Sequence, residues 1–366
     1  MRKFAITFLS LILTLSLFGQ IKNPDKPLKG KWDFQMKKMW EAEKAEEYFI
    51  ARIQNFGAAK DGRVYILDPK NFKIYIFSKE GKFISAFGEK GEGPGEIKKL
   101  NVGKQLFVID DQVLVVDLGR IHSFTLEGAY KKSFVYPAQL RPKTIVSGDI
   151  LIAAPSIVYN PQYKMVLYNI SNKSQKTVLD YSIYEKIIDN EGKQHYRTIV
   201  ADGITPMMYI SSGNGQFYYG MNAVYEITIA DKTGKKISSF SVEGRKKKKV
   251  SQRFKDALRK RFAKFPEDVV KKVFNELPDE VCYFDDIIID SKGMVYVLQA
   301  EPHSSNSRAL DIFSPGGKFL YSAGIKVEEG FSIRNIYLND ELLLMALQDE
   351  EGNLKAVKYI VKQPSL

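Results

Sequence analysis

The sequence predicts an all-β chain, a six-bladed β-propeller with a small helical insert between blades 4 and 5, and three observations carry that reading. A unit of three short strands repeats, six tight turns recur at blade-like spacing, and the apolar period switches from two to about 3.6 in one segment. The clearest unit runs Asp-Gly-Arg-Val-Tyr-Ile-Leu-Asp from Asp61, Asn-Phe-Lys-Ile-Tyr-Ile-Phe-Ser from Asn71 and Glu-Gly-Lys-Phe-Ile-Ser-Ala-Phe-Gly from Glu80. It returns as Asp-Ser-Lys-Gly-Met-Val-Tyr-Val from Asp290, Leu-Asp-Ile-Phe-Ser from Leu310 and Gly-Gly-Lys-Phe-Leu-Tyr-Ser-Ala-Gly from Gly316.

Aligning the turn before the last strand of each unit gives Gly81, Gly128, Lys173, Gly234, Gly317 and Gly352. These lie about 47, 45, 61, 83 and 35 residues apart, whereas a four-stranded blade needs roughly 40, so the two long intervals hold insertions. A ring must also close. Residues 30–40 alternate apolar and polar between Trp32 and Trp40, and the alternation predicts an edge strand that pairs with the C-terminal blade.

The first twenty residues read as an export signal. Arg2 and Lys3 precede an apolar and hydroxyl stretch over 4–18, then Gly19 and Gln20, after which Lys22 and Asp25 turn the chain polar. That stretch is about 15 residues, short of the roughly 20 that cross a bilayer, so residues 1–20 are expected to be a signal peptide and 21–366 a single domain. The expected compartment is periplasmic or extracellular. Cys282 is the only cysteine, so no internal disulfide forms, and its thiol is expected in the core.

The signal, the Phe-Gly-Glu-Lys-Gly-Glu-Gly-Pro-Gly-Glu loop from Phe87, and Leu277-Pro278 leading into Phe284-Asp-Asp-Ile-Ile-Ile-Asp-Ser-Lys-Gly-Met-Val-Tyr-Val together resemble exported six-bladed β-propeller proteins of NHL-like type from environmental and gut bacteria. The resemblance covers about residues 30–362. It implies a fold and a compartment, and it supplies no catalytic residues.

Meander topology assigns the faces. First-to-second and third-to-fourth turns share one face and are short here. Second-to-third loops and blade crossings share the other, which receives every long segment, including 89–97, 154–163, 181–207, 244–278 and 300–308. Function is expected on that loop-rich face around the channel. The candidate ligand-binding residues are Tyr159, Tyr163, His195, Arg197, Tyr209, Glu301 and His303; Tyr196, Tyr218 and Tyr219 are further aromatics that either line the face or pack between blades.

The formal charge is +12, yet 13 basic residues against three acidic ones fall between Arg245 and Lys272, so the body is close to neutral. Ser251 is placed to cap a helix with an apolar stripe of Phe254, Leu258, Phe262 and Phe265. Pro266 opens a second, with Glu267 and Asp268 at its N-terminus and Val269, Val270, Val273, Phe274 and Leu277 on its apolar face, ended by Pro278. Residues 245–278 thus form a basic helical lid. Lys246, Lys247, Lys248, Lys249, Arg259, Lys260 and Arg261 are the candidates for contact with an acidic glycan or an anionic membrane surface. Nucleic acid is not expected, because the aromatics fall on the packing stripe where no base could stack.

The glycine loop mimics phosphate-binding motifs without meeting their requirements. Pro94 and Gly95 stand where a P-loop needs Lys and Ser or Thr, Glu96 stands where a dinucleotide fingerprint needs glycine, and a strand follows in place of a helix. Only three histidines exist, with no zinc-binding pair and no calcium loop, and His122 sits mid-strand as a structural residue. No cofactor is expected, except that Asp285, Asp286 and Asp290 leave room for a structural Ca2+ in the channel. The expectation is an exported monomeric binding or scaffold protein with a protein or glycan partner. The alternative is a metal-dependent lyase or hydrolase of propeller type acting in the central channel.

Overall fold

A computed structural model describes residues 19–43, 45–100, 104–147, 150–155, 162–182, 186–188, 194–196, 204, 206–263, 265–275, 277–301 and 305–365. Six sheets of four or five strands are arranged as a closed ring of blades, each an antiparallel meander. The inner strands are Asn55–Ala58, Leu106–Ile109, Leu140–Ser147, Met208–Gly213, Phe284–Ile289 and Ser332–Asn339, taken from blades 1 to 6. The outermost meander strands are Phe83–Phe87, Tyr130–Val135, Gln175–Ser182, Lys236–Glu243 and Phe319–Lys326 for blades 1 to 5. Burial follows the radius: middle strands such as Val64–Asp68 are buried throughout, because blades pack on both faces of each.

The six turns that aligned in sequence share one conformation, with φ of +88°, +89°, +57°, +84°, +90° and +95° at Gly81, Gly128, Lys173, Gly234, Gly317 and Gly352. The packing explains why glycine recurs. A Cβ built on Gly81 would lie 2.5 Å from the Trp40 ring, and one on Gly128 would lie 2.5 Å from Phe87. In both cases, and at Gly317 against Phe240, the outer-strand aromatic of the preceding blade presses on the turn of the next; at Gly234 the neighbour is Val178, and Gly352 meets only Gln348 of its own blade.

The N-terminal segment forms a strap around half the ring. Gln20–Pro24 adds a parallel fifth strand to blade 4, Lys31–Trp32 adds one to blade 5, and Lys37–Ala42 pairs antiparallel with Leu354–Ile360 as the outermost strand of blade 6. The expected closing strand at 30–40 is therefore corrected to Lys37–Ala42. The reason is local: Gln35 adopts φ +45° and its N–H donates to the Asp33 carboxylate at 2.9 Å, a turn that breaks the alternation and sends Trp32 to a different blade. Trp40 then closes the ring against blade 1, stacking on Phe77 at 5.9 Å and donating to the Lys79 carbonyl at 3.1 Å.

Helices α1 (Gln252–Phe262) and α2 (Glu267–Asn275) lie in the crossing from blade 4 to blade 5. Ser251 caps α1 by accepting from the Phe254 N–H at 3.2 Å, as its position in the sequence implies. Phe254 and Leu258 bury against Ile204, Val281 and Ala300, with Phe262, Phe274 and Leu277 partly covered beside them. Phe265 departs from the expected stripe. It sits in the inter-helix turn, 53% exposed, because the helix has ended before its face comes round.

Candidate functional site

Each inner strand starts at the loop-rich face and runs toward the short-turn face, so its first residues surround one mouth of the channel. That mouth is held by amide and hydroxyl bridges between blades. Asn335 donates to the Gln54 carbonyl at 2.5 Å, Gln54 to the Gln105 side chain at 2.8 Å, and the Gln105 N–H to Asn55 at 2.7 Å, linking blades 6, 1 and 2. Farther along the channel, Thr144 and Ser212 join blades 3 and 4 at 2.7 Å. Such bonds satisfy the polar backbone of short strands that have no sheet neighbour on the channel side.

The channel encloses about 1160 Å³. Lys104, Lys143 and Arg334 line it near the loop-rich mouth, from blades 2, 3 and 6, and Asp286 lines it from blade 5. Farther in the wall is aliphatic, with Val108, Ile145, Ile288 and Ile336, before Asn214 and Asn339 at the far end. The enclosure shifts the charged groups. Burial pulls Lys104 and Lys143 below the ordinary lysine range, with Asp286 opposing the effect at Lys104. Burial also pushes Asp286 up to about 6, against the pull of Lys104, and lowers Arg334. Lys104, Asp286 and Arg334 are nonetheless exposed to solvent in the open channel, and Lys143 is half-buried.

The three aspartates have three separate fates. Asp285 is ion-paired with Arg308. Asp290 caps its own turn, accepting from the Lys292 and Met294 N–H groups at 3.0 and 2.8 Å and from the Tyr296 hydroxyl at 3.0 Å. All three border the channel cavity, and Asp286 is the one on which Lys104 acts. Among the described residues no three His, Cys, Asp or Glu side chains gather.

Of the sequence-predicted site residues, Tyr209 lines the channel on the blade 4 inner strand, its ring edge-on to Phe284 at 5.8 Å. Glu301 lies in the loop-rich connection of blade 5 and pairs with Lys248 of the insert at 2.8 Å. Tyr163 is paired in its strand opposite Tyr181, and His195 sits opposite Ile187 in a two-stranded hairpin. Tyr159, Arg197 and His303 lie outside the described residues, as do the side chains of Tyr163, His195 and Arg261 and all of residues 1–18. Tyr218 and Tyr219 are packing residues: Tyr218 is buried in the core and Tyr219 stacks on Phe217 at 5.6 Å. The sequence reading missed Lys104, Lys143 and Arg334. They lie in or just before the first strands of their blades, with no shared pattern to mark them.

The basic insert is less one-sided than its composition. Lys247 lies over the Tyr283 ring at 5.4 Å, Arg259 pairs with Asp256 at 3.1 Å and covers Phe274, and Lys271 pairs with Glu267 at 2.8 Å. Lys246, Lys249 and Lys260 are exposed. The glycine loop at 88–97 is likewise self-contained: the Glu96 carboxylate accepts from the Gly93 N–H at 2.7 Å, occupying the place an anion would take, and Ile97 is fully buried. Cys282 and His122 are both buried. The Cys282 thiol donates to the Ile204 carbonyl at 3.2 Å and is pushed up to about 11 by burial, and His122 meets Ser133 at 2.8 Å. The thiol environment does not activate a nucleophile, and the other ring nitrogen of His122 lies 3.5 Å from the Asp117 carboxylate.

Six blades, a strap that closes them and a charged channel mouth on the elaborated face define a six-bladed β-propeller with all its long connections on one side. The chain belongs to the DUF5128 family, described as a 6-bladed beta-propeller, which it matches over residues 43–272. No curated protein matches it. Among solved structures it is similar to a DUF4221-family member from Bacteroides vulgatus, with 12% identity, TM-score 0.59, and 91% of this chain and 99% of that one covered. It is also similar to a Bacteroides fragilis protein described as exported, with 13% identity, TM-score 0.53, and 94% and 99% covered. Identities this low speak for the fold.

Proposed function

We propose that this chain is an exported binding protein that captures a protein or glycan partner on its loop-rich face, with the channel mouth at the centre and the helical insert as one wall. The observation that supports it is the convergence of side chains from all six blades on one open cavity. Export rests on the signal-like residues 1–20 and on the exported Bacteroides protein of the same fold. Cleavage after Gly19 would leave Gln20, the first residue of the strap strand, as the new N-terminus.

The insert contributes cations at the rim. Lys246, Lys249 and Lys260 project from a lid that packs on the same face, a disposition suited to an acidic glycan or, as the alternative, an anionic membrane surface. The test replaces residues 245–278 with a short glycine linker and confirms the propeller by circular dichroism. Binding to polygalacturonate and to vesicles rich in phosphatidylglycerol is then measured against salt. Weakened, salt-sensitive binding to either supports the insert's role and tells the two surfaces apart, whereas unchanged binding to both removes it.

A further inference from the structure

The helical insert ends in an apolar tip that the propeller does not cover. Burial falls along α1: Phe254 and Leu258 are buried against the ring, Phe262 is half-buried, and Phe265 in the turn beyond is 53% exposed. The Phe265 ring rests 5.2 Å from that of Phe262, and Ala263 and Pro266 beside it are exposed as well. The two legs of the insert join at its base, where the Val250 N–H donates to the Asp279 carbonyl at 2.8 Å and the Val281 N–H to the Lys248 carbonyl at 2.9 Å. An 11-residue helix, about 16 Å long, separates that base from the tip. One exposed apolar side chain is ordinary on a protein surface, and the setting of this one is not. From Asp256 to Lys272 the chain carries six basic residues against three acidic ones. Arg259 is matched by Asp256 at 3.1 Å and Lys271 by Glu267 at 2.8 Å, which leaves Asp268 as the acid opposing the rest, among them the exposed Lys260.

We infer that this tip is an interfacial anchor: Phe265, backed by Phe262 and Pro266, enters the headgroup region of an anionic bilayer, while Lys260 and its basic neighbours in sequence attract the lipid phosphates. The inference rests on the reading of the insert as a cationic part of the binding face, and it chooses between the two surfaces that reading allows. Shape decides the choice. An aromatic ring that stacks on a sugar belongs in a concave site with polar groups beside it, whereas Phe265 stands on a projecting turn and borders none of the channel cavity. A projecting ring among cations is rewarded at a membrane interface, where apolar burial at the headgroup boundary and attraction to anionic lipid act together. One buried Phe strengthens binding about ten- to a hundredfold, and each cation near the surface about fivefold. The contact is therefore reversible and salt-sensitive, and among the described residues no helix is long and apolar enough to cross a membrane.

Phe265→Trp in the full mature chain reports the contact directly. Its emission should move to shorter wavelength with vesicles rich in phosphatidylglycerol, and stay put with phosphatidylcholine vesicles or polygalacturonate. The wild type, with Trp32 and Trp40 in the strap, gives the background. Phe265→Ser should weaken co-sedimentation with the anionic vesicles about tenfold or more and leave polygalacturonate binding unchanged. Lys260→Gln should weaken vesicle binding about fivefold at low salt, with the difference shrinking as salt rises. Both side chains are exposed, so thermal melts of these variants should match the wild type. No change in Trp emission with phosphatidylglycerol, or equal vesicle binding by Phe265→Ser and wild type, overturns the inference. Polygalacturonate capture that still depends on the insert would then leave the binding-face reading standing, so the two fail separately.

Discussion

Two charged clusters lie in this ring, and they are built in opposite ways. At the seam between blades 4 and 5, Arg245 reaches Asp311 at 2.8 Å, pairs with Asp25 of the strap and lies over the rings of Tyr225 and Phe319 at 5.2 and 5.7 Å. Asp311 also accepts from the Tyr225 hydroxyl at 2.5 Å and from Gln299 at 3.2 Å, while Asn23 bridges the Ser241 and Gly317 carbonyls and the Phe319 N–H. Every charge there has a protein partner. At the channel mouth, Lys143 has none among the described residues, and Lys104 acts on Asp286 across the channel. Matched buried charge fastens a structure, and charge without a partner costs it stability.

The sharpest test of the contrast is Asp311→Ala. It strands Arg245 and Tyr225 in a buried seam, so urea denaturation should show a loss of about 3–5 kcal/mol, and a loss under about 1 kcal/mol would break the distinction. Next comes Asn23→Ala, which leaves two carbonyls and one N–H unmatched under the strap. About 1–3 kcal/mol should go, read from the same curves.

Asp286→Asn should act oppositely, and with pH. The folded protein holds this proton up to about 6 against an ordinary value of 3.8, so the wild type loses stability as pH rises through that window and the cost is complete above it. The groups facing it are Lys104 across the channel and Asp285 and Arg308 on its own blade. The variant should therefore melt higher than wild type at pH 7 to 8, with the advantage gone near pH 4; a pH-independent difference would show that the carboxyl is not titrating in that range. Smallest is Lys143→Met, which removes an enclosed cation for a side chain of similar length. It should gain about 1 kcal/mol while the seam variants lose.

The blades were legible because their signature is a steric demand. A turn at φ near +88° with Trp40 against it admits glycine alone, so Gly81 and its equivalents stand out in the sequence, and even Lys173 keeps the left-handed conformation at its turn. The insert was legible through capping and period, apart from Phe265, whose burial depended on where α1 stopped. The strap was only half legible, since its bend at Asp33 and Gln35 divides what reads as one alternating strand. The channel was not. Inner strands as short as Leu106–Ile109 carry no usable alternation, and Lys104, Lys143 and Arg334 become neighbours only when the ring closes.

The strap sets an order of events during synthesis. Gln20–Pro24 is among the first segments made, yet its partner Lys236–Glu243 follows far later, and Asn23 bonds groups 218 and 294 residues downstream. Lys37–Ala42 must wait longer still, for Leu354–Ile360 at the other end of the chain. Contacts so distant form slowly, and here they cannot form at all before translation is nearly finished. The ring thus stays open while the chain is growing.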